Sequence, residues 1–83
     1  NKIDLDGYTA CYLDNKLYLM NKGFETKNLK KLLEEIDANK EFNPATIIVF
    51  GYNFQSKVLR EIADNVKNYA NKKQIEIDLI TRY

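Results

Sequence analysis

The sequence predicts an α/β domain of order ββαβαβ, a small two-layer or three-layer sheet with an N-terminal hairpin, parallel strands and two crossover helices. Three observations carry that expectation. Ala45–Tyr52 is an unbroken β-branched and aromatic run, as expected of a central strand covered on both faces. Leu29, Leu32, Leu33 and Ile36 recur at helical spacing, and so do Leu59, Ile62, Ala63, Val66 and Ala70. A short pattern also repeats: Leu17–Met20, Gly23-Phe24 and a helix are followed by Ile47–Phe50, Gly51-Tyr52 and a helix.

Asn1–Asp6 is polar, with Asp4 and Asp6 two residues apart, and reads as a lead-in segment from a preceding domain. The chain begins at Asn1 instead of Met, so residues 1–83 are expected to be one domain excised from a longer protein. Tyr8–Leu13 and Leu17–Met20 are short β-prone runs around Asp14-Asn15-Lys16, a hairpin whose Asp-Asn pair tolerates left-handed backbone. A two-residue turn would put Tyr8, Ala10, Tyr12, Leu17 and Leu19 on one face and Thr9, Cys11, Lys16, Tyr18 and Met20 on the other. A three-residue turn would regroup them. Gly23 releases the chain into a helix from about Thr26, its expected N-cap, to Ala38, with Phe24 placed to pack back on the first turn. Asn43-Pro44 restrains the start of the central strand, and Gly51 is read as freeing the chain to turn at its end. A second helix covers roughly Gln55–Ala70 and is broken by Asn71-Lys72-Lys73. In Gln74–Tyr83, Ile75, Ile77 and Leu79 alternate with Glu76 and Asp78, as in a strand with one wet face nearer the edge. A helix between two strands favours a right-handed parallel crossover, so the last three strands should be parallel and the first antiparallel beside them.

The composition narrows the function classes. Thirteen Lys+Arg against twelve Asp+Glu give a formal charge of +1, too little for the domain as a whole to draw nucleic acid from a distance. One cysteine, Cys11, allows no internal disulfide and points to an intracellular, cytoplasmic setting. No apolar run approaches the ~20 residues of a membrane helix, so no membrane partner is expected.

Chemistry-bearing residues are sparse. The chain has no histidine, which removes the commonest general base and metal ligand at neutral pH. Cys11 in a strand, with nothing to activate it, reads as a packed thiol. Asp4/Asp6 and Glu76/Asp78 each project to one side of an extended chain, as a magnesium-dependent nuclease needs. A solvated strand face accounts for the second pair equally well, and no Glu-x-Lys follows, so no metal site is expected. The carboxyl ends of the strands, with Gly51, Tyr52 and Asn53 beside Gly23, Phe24, Thr26 and Arg82, form a rim of the kind where ligands gather in open α/β sheets. Three glycines and no Gly-x-Gly-x-x-Gly or Gly-Lys-Ser/Thr loop leave it without a cofactor cradle, and no catalytic or cofactor-binding residue is assigned. Lys27, Lys30 and Lys31 on the first helix, and Lys67, Lys72 and Lys73 at the end of the second, are candidate DNA contacts. Glu34, Glu35, Glu61 and Asp64 on the same helices fit a solvated mixed-charge surface as well. The tyrosine-rich hairpin marks Tyr8, Tyr12 and Tyr18 as candidate interface residues, with completion of the domain's own core as the plain alternative.

Gly7-Tyr8 opening a hairpin, Leu17-Tyr18-Leu19, Gly23-Phe24-Glu25-Thr26, Phe42-Asn43-Pro44 before Ile47–Phe54, and the closing Ile77–Tyr83 together resemble the C-terminal segment of bacterial adenine-specific DNA methyltransferases, the Mod-type subunits of restriction-modification systems. The resemblance implies a parent enzyme that binds S-adenosylmethionine and methylates adenine N6. The family's Asp-Pro-Pro-Tyr and Phe-x-Gly-x-Gly motifs are absent here, Pro44 being the only proline, so none of their residues carries over. It therefore implies a non-catalytic module that aids assembly or DNA positioning, with the remainder of the parent chain, DNA, a second copy or the restriction subunit as partners. The alternative is a protein-interaction or dimerisation domain of another nucleic-acid-processing protein, such as a helicase or restriction subunit.

Overall fold

The computed structural model describes Asn1–Tyr83 as strands β1 (Lys2–Leu5), β2 (Tyr8–Leu13) and β3 (Lys16–Leu19), helix α1 (Thr26–Ala38), strand β4 (Thr46–Phe50), a 3-10 turn (Gly51–Asn53), helix α2 (Ser56–Lys73) and strand β5 (Asp78–Arg82). The order is βββαβαβ, one strand more than expected. The segment read as a lead-in forms β1, which pairs antiparallel with β2 from Lys2↔Cys11 to Leu5↔Tyr8. Asp6 and Gly7 join them with φ of 54° and 94°, the left-handed two-residue turn that Asp-Gly favours. The Asp14-Asn15 turn repeats the device with φ of 52° and 63°, and Leu13↔Lys16 fixes the two-residue register. Tyr12 lies opposite Leu17, and Tyr8, Ala10, Leu17 and Leu19 are buried together.

The five strands lie in chain order, β1-β2-β3-β4-β5, with β3, β4 and β5 mutually parallel. Right-handed crossovers that always step in one direction deliver their helices to the same side of the sheet. Leu29 and Leu32 of α1 and Ile62 and Val66 of α2 accordingly share one cluster with Leu5, Leu17, Leu19, Ile47 and Val49. The fold is thus two-layered, and the expectation of a central strand covered on both faces fails: Ile48 is buried yet stands outside that cluster.

The element ends differ in detail from the expected ones. The N-cap of α1 is Glu25, not Thr26, and its N–H donates to Asn28 Oδ1 at 2.7 Å. Thr26 Oγ1 instead donates to Glu61 Oε1 of α2 at 3.0 Å. Phe24 is buried, edge-on to Tyr8 with ring centroids 4.9 Å apart. Helix α2 runs through Asn71-Lys72-Lys73, because Lys and Asn continue a helix where packing supports it, and stops at Gln74, whose φ of 57° is left-handed. That takes Gln74–Ile77 out of the last strand, which shortens to Asp78–Arg82. Gly51 is not left-handed; a Cβ there would meet the Tyr83 ring at 2.5 Å, so its smallness serves a close approach.

Candidate interaction surfaces

Alternation along each strand sends every second side chain away from the helices. Across the sheet the register aligns Lys2, Cys11, Tyr18, Ile48 and Ile80 in one row of this outer face. Beside it run Leu13, Lys16, Thr46 and Asp78 on one flank, and Phe50 and Arg82 on the other. Leu13 is 55% exposed, Ile80 39% and Phe50 37%, while Cys11 and Tyr18 are half-buried. No element covers this face; Ile48 is sheltered only by its own sheet, with Tyr18 and Ile80 opposite it. An apolar centre rimmed by Lys2, Asp4, Lys16, Asp78 and Arg82 has the make-up of a contact surface. Sequence reading missed Ile48, Phe50 and Ile80 as site residues. Their signal was an apolar remainder: two helices on one side leave nothing to cover the second face of Ile47–Phe50.

The three candidate tyrosines separate. Tyr8 is in the core, and its hydroxyl donates to the Asn21 carbonyl at 2.5 Å; burial pushes its pKa up to about 12. Tyr12 is half-buried on the helix side, stacked edge-on against Phe42, and its hydroxyl receives the Asn43 N–H at 3.2 Å. Tyr18 alone faces outward.

The lysines gather more closely than their sequence positions suggest. Lys30, Lys72 and Lys73 line a shallow groove between α1 and α2 together with Leu33, Glu34, Asp37 and Tyr69. Lys27 and Lys31 continue along α1 with Lys30, beside Asp6 and Glu34. Lys73 Nζ lies 3.0 Å from Asp37 Oδ1, and Tyr69 donates to the same oxygen at 3.2 Å. Those two hydrogen bonds and the Lys73 charge hold the Asp37 carboxyl below the usual carboxylate range, and Asp37 in turn raises Lys73. Lys31 pairs with Glu35 at 3.3 Å.

The strand-end rim is largely engaged in structure. Asn53 Nδ2 donates to the Met20 carbonyl at 2.6 Å, Gly51 is buried beneath Tyr83, and Tyr52, 81% exposed, meets Tyr83 edge-on with centroids 5.6 Å apart. A cleft at the two helix N-termini is lined by Gly23, Thr26, Asn53 and Gln55 but also by Glu25 and Glu61, an acidic setting for an anion. Three His, Cys, Asp or Glu side chains nowhere come together as a metal site, and no helix is long and apolar enough to cross a membrane.

Residues 1–75 match the family described as Type III R-M EcoP15I C-terminal domain. The chain belongs to this family. Among curated relatives of this Type III C-terminal domain are the Mod subunits of the EcoPI enzyme of Escherichia phage P1 and the EcoP15I enzyme of Escherichia coli. Each is 42% identical over 80 residues, 96% of this chain and 12% of the relative. The StyLTI Mod subunit of Salmonella typhimurium is 32% identical over 82 residues, 98% of this chain and 12% of the relative. The domain therefore spans about an eighth of the length of the relatives it matches. The resemblance to the C-terminal segment of Mod-type subunits holds, and with it the assignment to restriction-modification.

Proposed function

We propose that this domain is a non-catalytic assembly module of a Mod-type DNA methyltransferase subunit, and that its outer sheet face docks on the remainder of that subunit. The observation that carries the reading is the uncovered apolar centre of Ile48, Phe50 and Ile80, in a domain that matches 12% of each relative. A parent of this kind binds S-adenosylmethionine, methylates adenine N6 and works with a restriction subunit. The domain supplies a fixed body, and the Lys27, Lys30 and Lys72 side positions DNA phosphates as a secondary role.

Two measurements test it. Phe50→Ser with Ile80→Ser changes side chains already more than a third exposed, so the 83-residue chain should keep its melting temperature. In the whole subunit the same pair should loosen docking, so that limited proteolysis releases the domain about tenfold faster. An unchanged release rate would show that this face is not the dock. Calorimetry of the 83-residue chain with S-adenosylmethionine should give no binding heat; stoichiometric binding would overturn the non-catalytic reading.

A further inference from the structure

The outer face changes character where the sheet passes from antiparallel to parallel pairing. β1 and β2 bring Lys2, Asp4 and Thr9 to it, all exposed, with Cys11 and Leu13. The parallel strands bring Tyr18, Ile48 and Ile80 in one row. Toward their carboxyl ends Phe50 and Arg82 form the next row, joined by Met20, which continues the alternation of β3. Met20, Phe50 and Ile80 are each more than a third exposed. Antiparallel strands tolerate a wet face, whereas parallel strands occur with both faces covered, and α1 and α2 cover only the other side of these three.

We propose that the occupant of this face is one amphipathic α-helix from the remainder of the same subunit, lying along β4 and bridging β3 and β5. The inference rests on the docking reading above and names what docks. The dimensions fit a single helix. With β4 between them, β3 and β5 stand about 10 Å apart, the width of one helix with its side chains. The two apolar rows are two residues apart along the strands, about 7 Å, close to one helical turn. A stripe recurring at three and four residues therefore sets one turn on Tyr18, Ile48 and Ile80 and the next on Met20 and Phe50.

A second sheet is a poorer fit. Packed face to face it would extend over β1 and β2 and take Lys2 and Asp4 out of water, at a cost the helix avoids. Charge agrees with a helix along β4. The row at the amino ends of the parallel strands sets Lys16 and Asp78, both exposed, on either side of Thr46. A helix running between them meets a cation on one flank and a carboxylate on the other. Its own stripe is therefore bordered by an acidic residue on the Lys16 side and a basic one on the Asp78 side.

Two measurements on the whole subunit test it. Hydroxyl-radical footprinting needs no substitution; with each residue scaled to its intrinsic reactivity, Met20, Phe50 and Ile80 should lose most of their labelling. Leu13, on β2 and 55% exposed, should keep it. p-Benzoylphenylalanine placed singly at Tyr18, Phe50 and Ile80 should give photoproducts of one subunit's mass, all attached to one segment at sites three, four or seven residues apart. The same group at Asn68, exposed on α2, should miss that segment. Attachment sites two residues apart, sites scattered over unrelated segments, or a Leu13 as protected as Met20 would each overturn the helix and leave docking on this face standing. Met20, Phe50 and Ile80 labelled as freely as Leu13, or photoproducts of twice the subunit's mass, would overturn docking on the remainder of the subunit and the helix with it.

Discussion

Asn28 shows how much of this domain rests on one polar side chain. It is 2% exposed; its Nδ2 donates to the Leu5 carbonyl at 2.7 Å and the Asp6 carbonyl at 3.2 Å, and its Oδ1 receives the Glu25 N–H. One residue therefore caps α1 and pins the end of β1 to it. Asn28→Ala leaves those groups without partners and should lower stability by about 2–3 kcal/mol in denaturant unfolding. Tyr8 sets an alkaline limit. Its folded pKa of about 12 lies above the ordinary 10.0, so the neutral hydroxyl's contribution is intact below pH 10 and is lost as pH rises toward 12. A melting-temperature series over that range should fall, and Tyr8→Phe should flatten the fall while starting lower for want of the bond to Asn21. Neither role was legible in the sequence. Asn28 lies outside the apolar positions Leu29, Leu32, Leu33 and Ile36 that mark the helix, and Tyr8 was one of several tyrosines whose burial only the packing decides.

At the level of elements, periodicity served well where a face was buried and poorly where chain conformation alone decided. Both helices were readable because an amphipathic pattern fixed each, and the central strand because its apolar run is unbroken. The first strand was missed although Asp6-Gly7 is a strong hairpin signal, since Lys2-Ile3-Asp4-Leu5 carries only two apolar residues and reads as polar. The end of α2 was misplaced because Asn71-Lys72-Lys73 looks like a break in composition, whereas the stop is the left-handed Gln74. A side chain in that conformation is strained where glycine is not. Gln74→Gly should therefore raise stability by about 0.5–1 kcal/mol, read as a higher denaturant midpoint at unchanged slope. A lower midpoint would mean that the Gln74 side chain contributes something its main-chain geometry does not show.

For the molecule as a whole, fold class and family were legible, and the position of the contact surface was not. Hydrophobic patterning reports that a residue is apolar on a given face; it does not report which face the helices choose. That choice follows from the spatial order of the strands, which no local stretch encodes. The same order bears on how the chain is made. Each strand lies next to the one before it in sequence, so none must be threaded between two already in place. A chain emerging from the ribosome can add β2 to β1, then β3, β4 and β5, each on a finished template at the growing edge and across a short loop or one helix. Synthesis then leaves Asp78–Arg82 as the last strand of the sheet to be added, laid on a neighbour already folded and open along its far side.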